Sequence, residues 1–257
     1  MSDNTQEIIE HENAHWSKIF KVELERNDSK NFSSFWWKDY YAELTSFVNQ
    51  IMFKGNLKTV LEAGSGSGKA TILLDKSYNK ILLDISSTAL EYSRYLADRF
   101  DAQDIKFFEG DIFSMPFKDD SFDFVWNIGV IEHYTLDSIE SITKEMIRVC
   151  NKSGVVAVGM PNFYSGPILK AWILKILKFI PGYKLDTEKF YKIDEIKKIF
   201  QKVSEGSEKE IAGMKIEYFG NPLIMETPKF ILKTMGKLAS CLFRRNKFLI
   251  LIVCKFK

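Results

Sequence analysis

Apolar side chains along this chain change their spacing near residue 58. Residues 5–26 and 33–54 predict helices, the second from apolar positions at steps of three and four. Short β-branched and apolar runs follow, and they predict strands at 59–63, 80–85, 105–109, 122–127 and 155–160. Helices are predicted from near Lys69, at 87–99 and at 136–149. Strands that alternate with helices in this way indicate βαβ units and a parallel sheet with right-handed crossovers.

The alternation becomes less regular after Pro161. Residues 163–191 contain an apolar helix studded with lysines and predict an insertion. A helix at 194–203 and strands at 214–219 and 248–255 are predicted next, with a second insertion at 220–247 between the two strands. The pattern therefore predicts one domain with elaborations over 1–257.

The composition is that of a globular protein, with 46% hydrophobic and 27% charged residues among 257. Cys150, Cys241 and Cys254 have no paired spacing, so neither a disulfide framework nor a zinc site is expected, and reduced cysteines predict a cytoplasmic protein. The polar, acidic N-terminus does not resemble a signal peptide. The longest apolar run, 248–254, is too short for a membrane-spanning helix, so we expect a soluble protein.

Charge is divided unevenly along the chain. Residues 1–162 carry 17 basic and 25 acidic side chains, a balance of −8, whereas residues 163–257 carry 19 and 9, a balance of +10. Such a division can attract an anionic partner to one end of the molecule. A solvated, lysine-rich surface is the simpler explanation, and the net charge of +2 fits it.

The first predicted strand runs into a loop with glycine at every second position, Gly64-Ser65-Gly66-Ser67-Gly68. Glycines permit a tight turn and a close approach of the backbone to a ligand. A phosphate-binding Walker A loop would need glycine in place of Ala63 and a hydroxyl residue in place of Ala70. A dinucleotide fingerprint would need glycine in place of Lys69. A glycine turn without a ligand stays open as an alternative.

Four segments in order resemble the motifs of class I S-adenosylmethionine-dependent methyltransferases. Glu62 with the glycine loop is similar to motif I, and Asp84 matches the acidic residue that ends the second strand, although its spacing also suits NAD. Residues 109–125 resemble the family stretch G-D-x-x-x-L-P-F-x-D-x-S-F-D-x-V. Residues 126–134 and 144–154 resemble the segments after strand four and before strand five. The resemblance covers 58–162, with a weaker similarity at 212–219.

The resemblance implies an α/β, doubly wound fold. Its seven-stranded, mostly parallel sheet would have the order 3-2-1-4-5-7-6, with helices on both faces and a helical cap. Residues 1–55 would form N-terminal helices that act as a lid, and 56–162 would form the cofactor-binding core. Residues 163–257 would supply acceptor-side insertions and the last two strands.

The implied cofactor is S-adenosylmethionine, bound beyond the carboxyl ends of the strands. Asp84 would grip the two ribose hydroxyls, Asp111 would receive the adenine amino group, and Asn127 would contact the cofactor through its backbone. The full set implied by the resemblance is Glu62, Gly64, Ser65, Gly66, Gly68, Asp84, Ile85, Asp111, Ile112, Asn127, Ile128 and His133.

His133 is the candidate general base, because it follows strand four and an imidazole titrates near neutrality. The resemblance equally suits a role in the wall of the cofactor pocket. Aromatic rings favour a sulfonium cation, so Trp36, Trp37, Tyr40 and Tyr41 are candidate lid and substrate residues, with packing on the sheet as the alternative. His11 and His15 lie four apart without a third ligand, so no metal site is predicted.

The acceptor is expected to be a small molecule. The insertions at 163–191 and 220–247 are both apolar and basic, which suits an anionic or lipid-like compound or peripheral contact with a membrane. Nucleic acid is disfavoured because Ile128 and Gly129 replace the prolines of a base-methylating motif. An RNA or protein methyltransferase, a non-catalytic scaffold that binds the cofactor, and an oxidoreductase remain alternatives. The oligomeric state stays open.

Overall fold

One mixed sheet of seven strands organises the chain. A computed structural model describes residues 3–26, 34–177, 185 and 187–257, with the side chains of 3–9, 11, 12 and 26 left aside. The strands are β1 Thr59–Ala63, β2 Asn79–Asp84, β3 Ile105–Glu109, β4 Phe122–Ile128, β5 Cys150–Pro161, β6 Ile211–Phe219 and β7 Leu249–Phe256. Their order in the sheet is β3-β2-β1-β4-β5-β7-β6, so the predicted order is confirmed.

Helices cover both faces of this sheet. The α-helices of the described residues are α1 Asp3–Arg26, α2 Phe35–Lys54, α3 Lys69–Ile72, α4 Ser87–Arg99, α5 Leu136–Val149, α6 Gly166–Ile176, α7 Ile193–Glu205 and α8 Lys229–Leu242. Single 3₁₀ turns lie at Ile131–His133 and Arg244–Asn246. Parts of the predicted lid and first insertion, residues 27–33, 178–184 and 186, lie outside the described residues.

The central strands are almost wholly apolar because helices pack on both faces of the sheet. Strand β1 is parallel to both neighbours, and its Leu61 pairs with Ile81 and Val125. Strand β7 is antiparallel to both β5 and β6. Successive residues of a strand point to opposite faces. Leu61 accordingly packs with α5 and α7, while Val60 packs with α2 and α8. A smaller cluster joins α4 to β2 and to Phe20 of α1.

The structure differs from the prediction at the start of β5 and in the second insertion. Strand β5 begins at Cys150 rather than near residue 155, and Cys150 pairs with Phe122. Gly154 lies inside the strand. Glycine is required there because a Cβ would stand 2.5 Å from the Cys150 sulfur and 2.8 Å from the Asp123 carbonyl oxygen. This glycine permits close packing and does not open the strand. The second insertion also contains a regular helix, α8, that the sequence did not predict.

One carboxylate ties the beginnings of three strands together. The Asp123 Oδ2 atom accepts hydrogen bonds from the Lys58 and Thr59 amides, at 2.8 and 2.9 Å, and from the Thr59 hydroxyl. Its Oδ1 atom accepts one from the Asn151 side chain at 2.6 Å. Burial raises the pKa of Asp123, but these hydrogen bonds outweigh it and leave the pKa below its ordinary value.

Replacing Asp123 should therefore destabilise the fold in a pH-dependent way. We expect Asp123→Ala to lower the free energy of unfolding by about 2–3 kcal/mol at pH 7, as hydrogen bonds to a charged acceptor are lost. Because the folded pKa is depressed, this contribution is present above the unfolded pKa of about 4 and is lost as pH falls through the folded pKa. Urea unfolding at pH 7 and pH 3 measures it. The exposed Asp98→Ala on α4 is the control, and an equal loss in both variants would contradict the role of Asp123.

Candidate active site

A cleft of about 240 Å³ opens beyond the carboxyl ends of the parallel strands. Ligands of doubly wound sheets bind at this edge. Four connections and one helix supply its walls. They contribute residues 64–67 after β1, Asp84 and Ile85 after β2, residues 110–112 after β3, residues 128–130, His133 and Tyr134 after β4, and Trp16 and Phe20 of α1.

The glycine loop is held in one conformation by β2. Gly64, Gly66 and Gly68 have φ values of +69°, +51° and +61°, a region that disfavours any residue with a Cβ. The amides of Gly64 and Ser65 both donate to the Leu83 carbonyl, at 2.8 and 2.9 Å. A Cβ at position 68 would in addition overlap the Leu82 side chain. The alternating glycines therefore follow from backbone geometry and close packing together.

Asp84 joins the loop to the end of β2. Its Oδ2 atom accepts a hydrogen bond from the Gly66 amide at 2.7 Å, and its Oδ1 atom accepts one from the Ser86 amide at 2.9 Å. Burial raises the pKa of this carboxyl. A carboxylate has about four acceptor positions, so two backbone donors leave capacity for a ligand in the cleft. Asp84 is thus both a structural and a candidate binding residue.

Asp111 and Ile112 form the neighbouring wall. The Asp111 Oδ1 atom accepts a hydrogen bond from the Phe113 amide at 2.8 Å, and partial burial raises the pKa of the carboxyl. Ile112 is buried and faces Gly64, where a Cβ would stand 3.7 Å from its Cδ1 atom. The loops after β1 and β3 therefore meet across a narrow gap, with a carboxylate at its rim.

Helix α1 covers the cleft. The Trp16 ring meets the His133 ring edge-on at 5.2 Å, and Phe20 packs against Tyr92 at 5.9 Å. The Ser17 hydroxyl lies 2.8 Å from that of Ser86, the residue that caps α4. Sequence analysis expected a lid within residues 1–55 but did not single out Trp16 and Phe20. The available signal was the four-residue spacing of Trp16 and Phe20, which puts two aromatic rings on one helix face.

The aromatic residues predicted as a lid lie elsewhere. Trp36 and Tyr40 are 1% and 3% exposed and pack with Trp37 around Phe248. The Trp36 indole donates to the Leu223 carbonyl at 3.0 Å. The Tyr41 ring lies 4.8 Å from the Lys69 ammonium. None of the four is among the residues lining the cleft, because α2 turns this face to the sheet. Their positions agree with the alternative of packing on the sheet.

Three other predicted cofactor residues support the cleft from behind and do not line it. Glu62 is buried beneath the loop and accepts hydrogen bonds from Thr71. Gly68 packs on Leu82. The Asn127 side chain is buried and donates to the Met146 sulfur at 3.3 Å. The predicted residues that do line the cleft are Gly64, Ser65, Gly66, Asp84, Ile85, Asp111, Ile112, Ile128 and His133.

Two carboxyl groups are buried close to the cleft. Glu62 and Glu132 are each 3% exposed, and the Oε2 atom of each has no hydrogen-bond partner among the described residues. Burial raises the pKa of Glu62 to about 7 and the pKa of Glu132 to about 8. Sequence analysis did not single out Glu132, since its desolvation arises only when residues far apart in the sequence surround it.

The acceptor-side insertion returns to the turn that carries His133. The His133 Nδ1 atom lies 2.6 Å from the Thr187 hydroxyl, and the Lys189 amide donates to the Glu132 carbonyl at 2.7 Å. The Tyr191 hydroxyl donates to the Tyr134 carbonyl. The imidazole is therefore held between Thr187 and Trp16, which suits either a pocket wall or a positioned base.

The sequence predicts no metal site at His11 and His15. The His11 side chain lies outside the described residues, and the His15 ring packs edge-on against Trp16 at 5.3 Å. Within the described part of the chain, His, Cys, Asp and Glu form no group of three that could hold a metal ion. The chemistry of the cleft is thus that of backbone amides, two Asp carboxylates and aromatic rings.

Comparison with known proteins gives a family and a fold. Residues 61–158 match the model of a family described as "Methyltransferase domain". The 2-methyl-6-phytyl-1,4-hydroquinone methyltransferase of Synechocystis is 26% identical over 151 residues, which are 52% of this chain and 46% of that protein. The chain thus matches about half the length of this curated relative.

Solved structures resemble nearly the whole chain. Magnesium protoporphyrin IX methyltransferase of Synechocystis, solved with bound SAH, has a TM-score of 0.63 at 16% identity and covers 97% of this chain and 100% of its own. A methyltransferase of Thermotoga maritima, described as a possible histamine N-methyltransferase, has a TM-score of 0.61 at 17% identity and covers 95% and 99%. The family resemblance and the fold predicted from the motifs are confirmed.

The buried carboxyl of Glu132 should make stability depend on pH. Its folded pKa of about 8 exceeds the ordinary 4.5, so its contribution is fully present below pH 4.5 and is lost as pH rises through 8. We expect Glu132→Gln to match the wild type near pH 5 and to become increasingly more stable up to pH 9. Thermal unfolding at several pH values measures this. Glu91→Gln, on the exposed face of α4, is the control, and parallel pH curves for Glu132→Gln and the wild type would contradict the burial effect.

Proposed function

We propose that this chain transfers the methyl group of S-adenosylmethionine to a small-molecule acceptor. Residues 61–158 match the model of a methyltransferase domain, and one structural relative was solved with bound SAH. The observation that carries the proposal is the junction of the glycine loop with Asp84, which presents backbone and a carboxylate to one cleft. A carboxylate that accepts two hydrogen bonds suits the vicinal hydroxyls of a ribose.

The charges around the cleft favour this cofactor over a dinucleotide. Asp84 and Asp111 line the cleft, and its lining in the described part of the chain includes neither Lys nor Arg. A sulfonium nucleoside is a cation, which carboxylates and aromatic faces attract. A dinucleotide carries a pyrophosphate, for which these folds use a helix N-terminus with a third glycine, where this chain has Lys69 and a single helical turn.

The individual roles follow from position. We assign Asp84 to the ribose hydroxyls, Asp111 to the adenine amino group, and the backbone of residues 64–66 to close contact with the cofactor. Ile85, Ile112 and Ile128 supply apolar walls. Glu62, Gly68 and Asn127 act through the loop and strand they support.

The protein's main contribution to methyl transfer is orientation. The cofactor supplies a methyl group that is already activated, and holding reactants in line can lower a barrier by about 7–11 kcal/mol. A base is required only for an acceptor that arrives protonated. We propose His133 as that base, since it lines the cleft beside the acceptor-side segment at Thr187.

The acceptor we favour is an apolar or lipid-like small molecule. The curated relative bears the name of a hydroquinone methyltransferase, and one structural relative bears that of a porphyrin methyltransferase. The cleft itself argues against an anionic group at the reacting end, since its charged lining residues are Asp84 and Asp111. A cytoplasmic location stays a prediction from the cysteines, of which Cys150 and Cys254 are buried thiols and Cys241 an exposed one.

Calorimetry with S-adenosylhomocysteine tests the cofactor assignment. We expect the wild type to bind it and Asp84→Asn to bind at least tenfold more weakly, since the ribose hydroxyls lose an anionic acceptor. Glu109→Gln is the matched control, because Glu109 pairs with Asp84 at the end of β3 and does not line the cleft.

NADH in a parallel titration separates the two cofactor classes. Binding of NADH without binding of S-adenosylhomocysteine would end the methyltransferase proposal. If Asp84→Asn bound S-adenosylhomocysteine as tightly as the wild type, Asp84 would have no role in holding the ribose. The assignment to the methyltransferases would be unaffected.

A further inference from the structure

The large apolar side chains exposed to solvent concentrate on α6, α8 and the segments that adjoin them. Single exposed hydrophobic residues are normal on a protein surface, whereas contiguous ones mark a site of interaction. Elsewhere in the described ranges they are scattered over different elements or loops, apart from Phe190, which contacts Tyr164 beside α6: Ile19, Phe53, Phe100, Phe108 and Leu136.

Helix α8 turns an apolar face outward. At about 100° per residue, its exposed apolar residues fall within an arc of about 140° that contains no charged residue. They are Phe230, Met235, Leu238 and Leu242, each 57–68% exposed. The buried residues Leu232 and Gly236 lie on the opposite side. Lys229, Lys233 and Lys237 fall between these two arcs, beside the apolar one.

Helix α6 has the same character. Ile168, Ala171 and Leu174 are buried. The other side carries Leu169, Trp172, Ile173 and Ile176, which are 44–60% exposed. Lys170 and Lys175 flank this exposed side. A helix that is apolar on all sides is ordinarily enclosed by protein or lipid.

The segments that bound the two helices adjoin one another. The Gly166 amide, at the start of α6, donates to the Pro222 carbonyl in the segment that enters α8, at 3.0 Å. The Asn246 side chain, in the segment that leaves α8, donates to the Tyr164 carbonyl at 2.9 Å. The segments on either side of α8 are therefore fastened beside the start of α6. We call the exposed apolar residues of the two helices, with their flanking lysines, the α6–α8 surface.

The charge of this surface selects its partner. Residues 163–177 contain no acidic side chain, and residues 220–247 contain one, Glu226, which is paired with Lys170. The basic residues are Lys170, Lys175, Lys229, Lys233, Lys237, Arg244, Arg245 and Lys247. Of these, Arg244 is paired with Glu217 and the mostly buried Lys247 with Glu43. Two copies of such a surface would repel each other. A bilayer that contains anionic lipid offers both an apolar interior and negative headgroups.

We propose that the α6–α8 surface binds the protein to the face of an anionic lipid bilayer. The apolar side chains of both helices enter the interface, and the flanking lysines contact the headgroups. No helix in the described ranges is long and apolar enough to cross a bilayer. The proposal is independent of the methyltransferase activity, because the surface shares no residue with the cleft lining.

Flotation with two kinds of vesicle tests the proposal. We expect the full chain to bind vesicles of phosphatidylcholine and phosphatidylglycerol at a ratio of ~2:1 and to bind far less to phosphatidylcholine alone, with binding weakened by salt. The double variant Trp172→Ser, Leu238→Ser should lower the partition coefficient at least tenfold. Phe53→Ser is the matched control, since Phe53 is 84% exposed at the far end of α2, and it should bind as the wild type does.

A double lysine variant tests the headgroup contact separately. Lys229→Gln with Lys237→Gln should reduce binding to the anionic vesicles, whereas Lys198→Gln, exposed on α7, should leave it unchanged. Binding of S-adenosylhomocysteine and thermal unfolding show that each variant is folded. Absence of wild-type binding to both vesicles, or equal binding by all variants, would overturn the proposal. Dimerisation in sedimentation velocity that the Trp172→Ser, Leu238→Ser variant abolishes, without lipid binding, would instead assign the surface to a second copy.

Discussion

The hydrogen bond from the Gly66 amide to the Asp84 carboxylate determines how the cleft is built. It requires a loop that turns back over the end of β2, and the positive φ values of three glycines make that turn. Phe20 of α1 then rests on the loop, where a Cβ at position 66 would stand 3.1 Å from its ring. The packing of α1 over the cleft thus depends on the same Gly66–Asp84 hydrogen bond, because Phe20 can pack on the loop only when the loop has this conformation.

Much of the fold was predictable because the sheet uses local rules. Central strands buried on both faces produce uninterrupted apolar runs, and each is followed by a helix with its own period, so the strands could be predicted from the pattern. Their order in the sheet came from the resemblance to a known family. Gly154 shows the limit. A glycine often ends or interrupts a strand, and only the three-dimensional approach of Cys150 and Asp123 shows that this one permits the strand to continue.

The residues of the candidate site likewise divide into those that the sequence could predict and those that only the fold reveals. The loop could be recognised from its glycine spacing, and Asp84 and Asp111 were singled out through the family resemblance. The residues that cover the cleft could not be predicted. Helices α1 and α2 both carry aromatic residues four apart, Trp16 with Phe20 and Trp36 with Tyr40, and spacing does not tell which helix faces the cleft and which faces the sheet. Glu132 was missed for a related reason, because burial is a property of the assembled fold.

The uneven charge of the chain has a structural meaning in the light of the two proposals. The acidic part, 1–162, supplies Asp84 and Asp111 to the cleft and buries Glu62 and Glu132 near it, where a cation is the ligand. A bound cation would favour the ionised forms of these carboxyls, so cofactor binding and proton release are linked there. The basic part, 163–257, places its lysines around an exposed apolar surface, where the partner is anionic. The segment from Thr187 to Tyr191 joins the two parts, since it belongs to the basic part and contacts the turn that carries His133. The two parts of the chain therefore meet at the edge of the cleft that His133 lines.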